Sequence, residues 1–552
     1  LSSRAVQFEL KDSGQDGHYL PGTYKWCSAS VKLIEDENII DGYVEDSKLL
    51  PLDKQIFYIF GDSQELHDRI AGKRDDFQEM TFKIKKILSE NKRINIKIGV
   101  SKYNFYRLKE IVDFSASLLR QNVDLSGVSL CLFPAHKLYF SFVNYVEEIK
   151  ARINTEEIKL VLFDETLFDL LGNIANQSNP YNERRLLRML GVISEHAFIG
   201  PQTVVIDPHH RCNCNCLHCW VHMPGIKHTQ EFLNRKLDFN LYKRMIDDFC
   251  QLRVDSIIFQ GDGEPLLCDK LFEMIRYARN KDIAVSFFTN GLLLDERTAQ
   301  EVVKLKITEI YCSLPAGTDK TYALVAHNKD PGAFKKINEN LKNLGVLKNQ
   351  AKELHPRLIM THVIHTLNYR EIMAMAENDV EIGANVIRFY LIRLDDNNRS
   401  LQLKPKEAQF IKESLLKVKD YLKNKNVEIL DTADFQLNHY EENTGAWSKN
   451  VFLQEGCFIG WFFCLIPALG DISFCCHLRT VVYLAENSFK QVWDSREYEK
   501  YRFQAKYLKD NKTAAFINGA KLYDEHCEHC DTHQVLRDIR EELKMYNLER
   551  FL

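Results

Sequence analysis

The 552-residue chain is 45% hydrophobic and 27% charged, with a net charge of −4, and its length allows roughly two to four domains. That balance gives no electrostatic basis for nucleic acid or an anionic membrane as a partner. No apolar run reaches the ~18 residues of a spanning helix; the nearest, "CFIGWFFCLIPALG" (457–470), is broken by Gly460 and Pro467.

Residues 1–25 are polar and Gly-rich and predict a loose arm. Over 26–195, short apolar runs lead into helical stretches: "QIFYIFG" (55–61), "INIKIGV" (94–100), "GVSLCLF" (127–133) before "KLYFSFVNYVEEIKARI", and "IKLVLF" (158–163) before "ETLFDLLGNIANQ". This alternation predicts a parallel α/β domain with its own core, ending at the polar stretch "NQSNPYNERR" (176–185). A second series runs over 200–435: "TVVID" (203–207), "VDSIIFQ" (254–260), "IAVSFFT" (283–289), "ITEIYCSL" (307–314), "RLIMTHVIH" (357–365), "NVIRFYLIR" (385–393) and the weaker "VEILD" (427–431). Six or seven consecutive βα units predict a complete or partial α/β barrel, with its chemistry on the loops after the strands. From 440 to 552, Gly- and Cys-rich loops and a charged final helix predict a small third module.

Of the 15 cysteines, 13 follow residue 200. A disulfide scaffold is typically short and secreted. Clustered thiols in a long chain with no evident export signal favour metal or redox chemistry in a reducing, cytoplasmic setting. Cys212, Cys216 and Cys219 have the spacing C-x3-C-x2-C in the loop after the first barrel strand. Three close thiolates suit a soft metal centre with one open position. Cys214 is out of step with them. A zinc knuckle, with Cys214, His209, His210 or His218 as fourth ligand, stays open, as does a disulfide pair.

The spacing and its place on a barrel resemble the radical S-adenosylmethionine (radical SAM) superfamily over roughly residues 200–435. The resemblance implies a partial (β/α)6-type barrel within an α/β chain. It also implies a [4Fe-4S] cluster on Cys212, Cys216 and Cys219, with the fourth iron chelating SAM, which is split to a 5′-deoxyadenosyl radical that abstracts hydrogen. Further stretches match in order. "GDGEP" (261–265) resembles the family's GGE motif, with Asp262 in place of a Gly, and implies SAM contacts from Asp262, Gly263 and Glu264. A tight glycine turn and a carboxylate suit an ammonium group. "TNG" (289–291) offers Thr289 and Asn290, and Ser313 ends the fourth strand, with Cys312 then facing outward. In "MTHVIH", Thr361 or His362 faces the pocket, and Arg388 and Arg393 suit carboxylates of SAM or substrate.

A second group resembles the twitch/SPASM modules that follow many radical SAM barrels. Cys457, Gly470 and Cys475 are followed much later by Cys527 and Cys530 in "CEHC". A full SPASM module has seven cysteines, so the resemblance implies the shorter type, with one auxiliary [4Fe-4S] cluster on Cys457, Cys475, Cys527 and Cys530. Cys476 is the alternative to Cys475, and a zinc ribbon is the alternative to iron. Cys464 is spare. It joins Cys268 and Cys312 as a candidate hydrogen donor, which an epimerase needs and a dehydrogenase does not.

The expected activity is hydrogen abstraction from an unactivated carbon, first of a ribosomally made peptide, with a flavodoxin or ferredoxin supplying electrons. Dehydrogenation or epimerisation of a sugar or aminocyclitol is the alternative. A cobalamin-dependent methylase would use the N-terminal α/β domain, where no D-x-H-x-x-G stretch occurs. A non-enzymatic zinc-binding interaction protein is the rival from another class.

Overall fold

The computed structural model describes residues 180–326, 330–484 and 487–545, and before these 5–10, 19–20, 24–25, 29–34, 55–59, 61–71, 74–89, 94–100, 107, 110–111, 114, 117–118, 128–132 and 159–162. These divide into two units, 1–196 with 542–552 and 197–541.

In the first unit, Gln55–Ile59, Ile94–Val100 and Val128–Leu132 form a parallel three-stranded sheet. Two helices, Gln64–Ala71 and Asp76–Ser89, join its first two strands. The loose arm expected over 1–25 is corrected in part. Ala5–Leu10 is a strand, paired antiparallel with Ala29–Ile34 and with Lys159–Leu162. "AVQFEL" alternates apolar and polar residues as a strand does, within polar surroundings that hide it. Lys159–Leu162 therefore belongs to an antiparallel layer, not the parallel one. The polar stretch read as a boundary becomes helix from Pro180 to Ser194. The helices expected over 137–153 and 165–177 lie outside the described residues.

The second unit is built on one ten-stranded sheet. Its strands are β1 (Thr203–Ile206), β2 (Ser256–Phe259), β3 (Ala284–Thr289), β4 (Glu309–Ser313), β5 (Arg357–Ile364), β6 (Val386–Leu391), β7 (Glu428–Leu430), β8 (Phe463–Ile466), β9 (Asp471–Ser473) and β10 (Thr480–Tyr483). The order is β7-β6-β5-β4-β3-β2-β1-β8-β9-β10. Strands β1 to β7 pair in parallel and make an open, partial barrel. The third module is not set apart from it: β8 pairs in parallel with β1.

Helices cover the outer face. Among them are α1 (Phe239–Gln251), α2 (Ala333–Gln350), α3 (Ile372–Glu381), α4 (Pro405–Leu422) and α5 (Arg496–Lys506), and α6 (Thr532–Met545) follows the last cysteines. The Asp238 carboxylate caps α1 by accepting the Leu241 N–H at 2.7 Å, satisfying a donor the first turn would leave open. Tyr242, Met245, Ile246 and Phe249 form its buried stripe, the spacing of one helix face.

In-register parallel partners share a face. Ile387 and Phe389 of β6 lie in one core with Met375 of α3 and Ile411 of α4, so they face outward. His362, Met360 and Cys312 stand in the same row, and at the other end of the sheet so do Phe259, Val204 and Cys464. The interior row holds Phe288, Tyr311, Ser313, Thr361, Arg388 and Tyr390.

Candidate functional site

The loops after β1 and β2 are locked together. Gly261 lets the second loop approach Asp207, since a Cβ there would lie 2.3 Å from the Asp207 carboxyl carbon. At Gly263 a Cβ would lie 2.4 Å from the His209 carbonyl oxygen. The Glu264 N–H donates to the Arg211 carbonyl at 2.8 Å. The His209 Nε2–H donates to the Glu264 carbonyl at 2.9 Å while its Nδ1 accepts the Arg211 N–H at 3.1 Å. The His222 Nε2–H donates to the carbonyls of His210 (2.9 Å) and Asp262 (2.6 Å). Asp207 and His210 are both buried and paired at 3.0 Å; burial raises the Asp207 carboxyl to about 6.

On this frame the thiols of Cys212, Cys216 and Cys219 come close enough to act on one another electrostatically. Cys219 Sγ accepts N–H groups from His222 at 3.1 Å and Val221 at 3.4 Å, and Cys212 accepts the Cys214 N–H. Burial pushes the Cys212 thiol up to about 12 and raises Cys219. A hydrogen bond with Cys214, then burial, raises Cys216. Such thiols stay protonated at neutral pH unless a cationic centre holds them as thiolates, and N–H donors aimed at sulfur suit that state. Cys214, out of step in the spacing, stays within the loop. It is buried, with its thiol in hydrogen-bond reach of Cys216 and the Tyr322 hydroxyl.

Glu264 is buried and its carboxylate is already engaged. Oε1 accepts the Thr289 hydroxyl at 2.8 Å and the Leu266 N–H at 3.1 Å, and Oε2 accepts the Asn290 N–H at 2.8 Å. The carboxylate therefore ties the β2 loop to the β3 turn. The Asn290 side chain donates to Asn213 in the cysteine loop at 2.6 Å. Gly291 follows at φ +80°, a left-handed conformation that suits glycine. Ser313 faces the interior in register with Thr361.

His362 is corrected. Its ring stacks on Phe389 at 5.0 Å, Nε2 meets Asp379 of α3 at 2.7 Å and Nδ1 meets the Leu314 carbonyl at 2.6 Å. Both nitrogens are satisfied in the outer layer, so it cannot serve SAM. Arg388 does reach the interior, over the Tyr390 ring at 5.3 Å. Arg393 lies 4.6 Å over the Trp220 ring and 3.4 Å from His477 Nδ1. Asp531 accepts the Gln436 side-chain N–H at 2.8 Å; burial raises its carboxyl, and the charges of Arg388 and Arg393 draw it back.

Cys457, Cys475, Cys527 and Cys530 line one cavity, which fits a four-thiolate cluster. Cys475, not Cys476, lines it. Cys476 bonds Cys530 from the side, and this hydrogen bond, joined by those of His477 and Thr532, holds the Cys530 thiol well below its usual range. Burial raises Cys457 and pushes Cys527 up to about 12. The hydrogen-donor role of Cys464 is corrected. It lies on the outer row with Val204, beside Tyr498 and Arg502 of α5, and burial raises its thiol. Cys312 also lies outside, against Gly291. Sequence reasoning missed His222 and Arg479; the only signal was a polar residue three positions after a cysteine in each case.

The model of the radical SAM superfamily matches residues 206–378, and that of an iron–sulfur cluster-binding domain, SPASM, matches 457–531. The chain carries a radical SAM domain followed by a SPASM domain. It binds SAM and a [4Fe-4S] cluster, and its SPASM domain is an auxiliary iron–sulfur module, so the zinc-protein alternative falls. Similar proteins include an AdoMet-dependent heme synthase of Oleidesulfovibrio alaskensis, 25% identical over 344 residues, 60% of this chain and 80% of that one. The mycofactocin maturase MftC of Mycobacterium ulcerans is 24% identical over 310 residues, 54% of this chain and 76% of the relative. Among solved structures, Streptococcus suis SuiB bound to its precursor peptide SuiA aligns over 64% of this chain and 82% of SuiB, with a TM-score of 0.44 and 16% identity. Among the described residues, no helix is long and apolar enough to cross a membrane.

Proposed function

We propose that Cys212, Cys216 and Cys219 hold the SAM-binding cluster, that Cys457, Cys475, Cys527 and Cys530 hold one auxiliary cluster, and that the enzyme abstracts hydrogen from an unactivated carbon of a carboxylate-bearing substrate. When bound, the first cluster supplies the electron that splits SAM to methionine and a 5′-deoxyadenosyl radical. The observation that carries the substrate reading is the pair Arg388, on the interior row of β6, and Arg393, which follows β6 and meets Trp220 and His477 beside the second cysteine group. Guanidinium groups recognise carboxylates by paired, charge-assisted hydrogen bonds. The Asp531 carboxylate offsets part of that charge.

A peptide with an acidic side chain or a free C-terminus comes first. With both groups bound, the substrate would lose one hydrogen atom to the deoxyadenosyl radical, and an auxiliary cluster held by Cys457, Cys475, Cys527 and Cys530 would supply an acceptor for the second electron, with one proton passing to solvent, to give an oxidised or cross-linked product. A second reading, an iron porphyrin with propionate side chains, is favoured by the two arginines and by the heme synthases among the relatives. In both, Trp220 offers an aromatic wall beside Arg393.

The test uses anaerobically reconstituted enzyme, SAM, and a flavodoxin or ferredoxin reducing system. Asp- and Glu-containing peptides and iron coproporphyrin III, each deuterated beside the carboxylate, are offered in turn. Deuterium in 5′-deoxyadenosine identifies the class, and Arg388→Lys or Arg393→Lys should then raise KM for it. Label transfer from neither class would sink the carboxylate reading.

A further inference from the structure

Arg479 stands between β9 and β10, and nothing in the cysteine spacing points to it. Its backbone is fixed: the carbonyl accepts the Phe474 N–H at 2.9 Å, closing the turn between the two strands. Its side chain is 3% exposed. Every nitrogen of the guanidinium has a partner. Nε donates to the Lys521 carbonyl at 2.6 Å, Nη1 to Cys475 Sγ at 3.1 Å, and Nη2 to Cys527 Sγ at 3.2 Å. Nη2 also meets the Asp524 carboxylate at 2.9 Å. Asp524 is itself held, accepting the His526 N–H at 3.0 Å.

Two of the four thiols that line the auxiliary cavity thus receive N–H donors from one buried cation. A planar, permanently charged fork can do this, whereas a single ammonium cannot reach both sulfurs in line. Burying a guanidinium is unfavourable unless opposite charge compensates it. Here one partly exposed carboxylate does so, and thiolate sulfur is the other negative charge within reach. The arrangement therefore suits sulfurs that carry negative charge, as cluster ligands do.

We infer that Arg479 sets the reduction potential of the auxiliary cluster, raising it through its charge and its two N–H···S bonds. A four-thiolate cluster is more negative when reduced. A neighbouring cation and hydrogen bonds to sulfur therefore stabilise the reduced form more than the oxidised one. One electron enters and no proton moves, because the guanidinium stays protonated throughout. The inference rests on the proposed ligand set and adds a reason why this site, with its potential raised, accepts an electron from the oxidised substrate. Asp524 works against Arg479, because its carboxylate cancels part of the same charge.

The test is an anaerobic redox titration without substrate, followed by electron paramagnetic resonance and visible absorption, with iron counted per chain. The SAM-binding cluster in the same molecule is the internal reference. Arg479→Met should lower the auxiliary midpoint potential. The shift should be enough for about a tenfold fall in the reduced-to-oxidised ratio at fixed ambient potential, or 59 mV for one electron. Arg479→Lys, which keeps charge but not the fork, should shift it less in the same direction. Asp524→Asn, which keeps the N-cap acceptor but removes the opposing charge, should raise it. The reference cluster should not move. Auxiliary potentials unchanged in all three variants overturn the inference. So does loss of auxiliary iron in both Arg479 variants, which would make the guanidinium a structural brace. Because no substrate is present, either result stands whether or not the carboxylate reading holds.

Discussion

Glu264→Gln should loosen the two loops that frame the first thiol group. Three donors converge on this carboxylate: the Thr289 hydroxyl at 2.8 Å and the Leu266 N–H at 3.1 Å on one oxygen, and the Asn290 N–H at 2.8 Å on the other. A carboxylate accepts all three, but an amide accepts at one end and donates from the other. With the amide oxygen toward Thr289 and Leu266, its NH2 meets the Asn290 N–H. Turned over, it meets the Leu266 N–H. Either pose leaves a buried donor unsatisfied, at a cost of about 1–3 kcal/mol, and at 3% exposure water gives little relief. If that cost falls on the SAM-binding arrangement, the dissociation constant rises roughly 5- to 150-fold. Anaerobic equilibrium dialysis with SAM above pH 7, where the Glu264 carboxyl is ionised, measures it, with iron counted in the same sample. A variant with full iron that binds SAM as tightly as the parent would refute the reasoning. The pH dependence gives a second check. Burial raises this carboxyl from 4.5 to about 7, so between those values the folded chain holds a proton that the unfolded chain has lost. The stability this gives is complete below 4.5 and is lost as pH rises through 7, up to about 3 kcal/mol. The Gln variant should lack that slope.

Cys214→Ala should keep the iron of the first site and SAM cleavage, whereas Ala at Cys212, Cys216 or Cys219 should remove both; iron content and 5′-deoxyadenosine yield decide it. Cys464→Ala should leave turnover and product stereochemistry unchanged and cost only about 1 kcal/mol of stability from a lost buried thiol, read as a small drop in Tm. Burial pushes His365 down to about 3 from 6.5. Between those values the unfolded chain binds the extra proton, so stability is full above 6.5 and falls as pH drops toward 3. His365→Gln should flatten that limb in urea melts taken at successive pH values.

The barrel was legible because parallel strands buried on both faces read as continuous apolar runs, and "VDSIIFQ", "IAVSFFT" and "NVIRFYLIR" all became strands at those places. The same property hid the facing of side chains. In "MTHVIH" nothing local says whether Thr361 or His362 points inward. Register decides it, by setting Thr361 beside Arg388 and His362 beside Phe389, and a one-residue slip would reverse the choice. "FCLI" likewise gave Cys464 no marked side until it paired with Val204. Ala5–Leu10 went unread because polar residues surround it and one of its two partner strands, Lys159–Leu162, is remote in sequence. Arg479 was silent for the same reason: its meaning lies in Cys527 and Asp524, more than forty positions away.

The pairing of β8 with β1 also explains how two thiol groups from opposite ends of the second unit keep a fixed relation. β1 leads directly into the loop of Cys212, Cys216 and Cys219. β8 is preceded by Cys457 and, through β9, followed by Cys475. Backbone bonds continue the pairing past both ends, from the Gln202 N–H to Phe462 at 2.8 Å and from the Asp207 N–H to Ile466 at 2.9 Å. Separation is therefore set by a sheet ladder rather than by a linker, and sheets deform little under side-chain substitution. A second path joins them: Trp220 follows Cys219, Arg393 stacks on Trp220, and His477, beside Cys476, meets Arg393. A carboxylate drawn to Arg393 would thus lie against the loop of the first thiol group and the turn of the second at once. On the proposed function, Arg393→Ala should therefore weaken hydrogen removal and electron removal together, read as matched falls in 5′-deoxyadenosine and product yield.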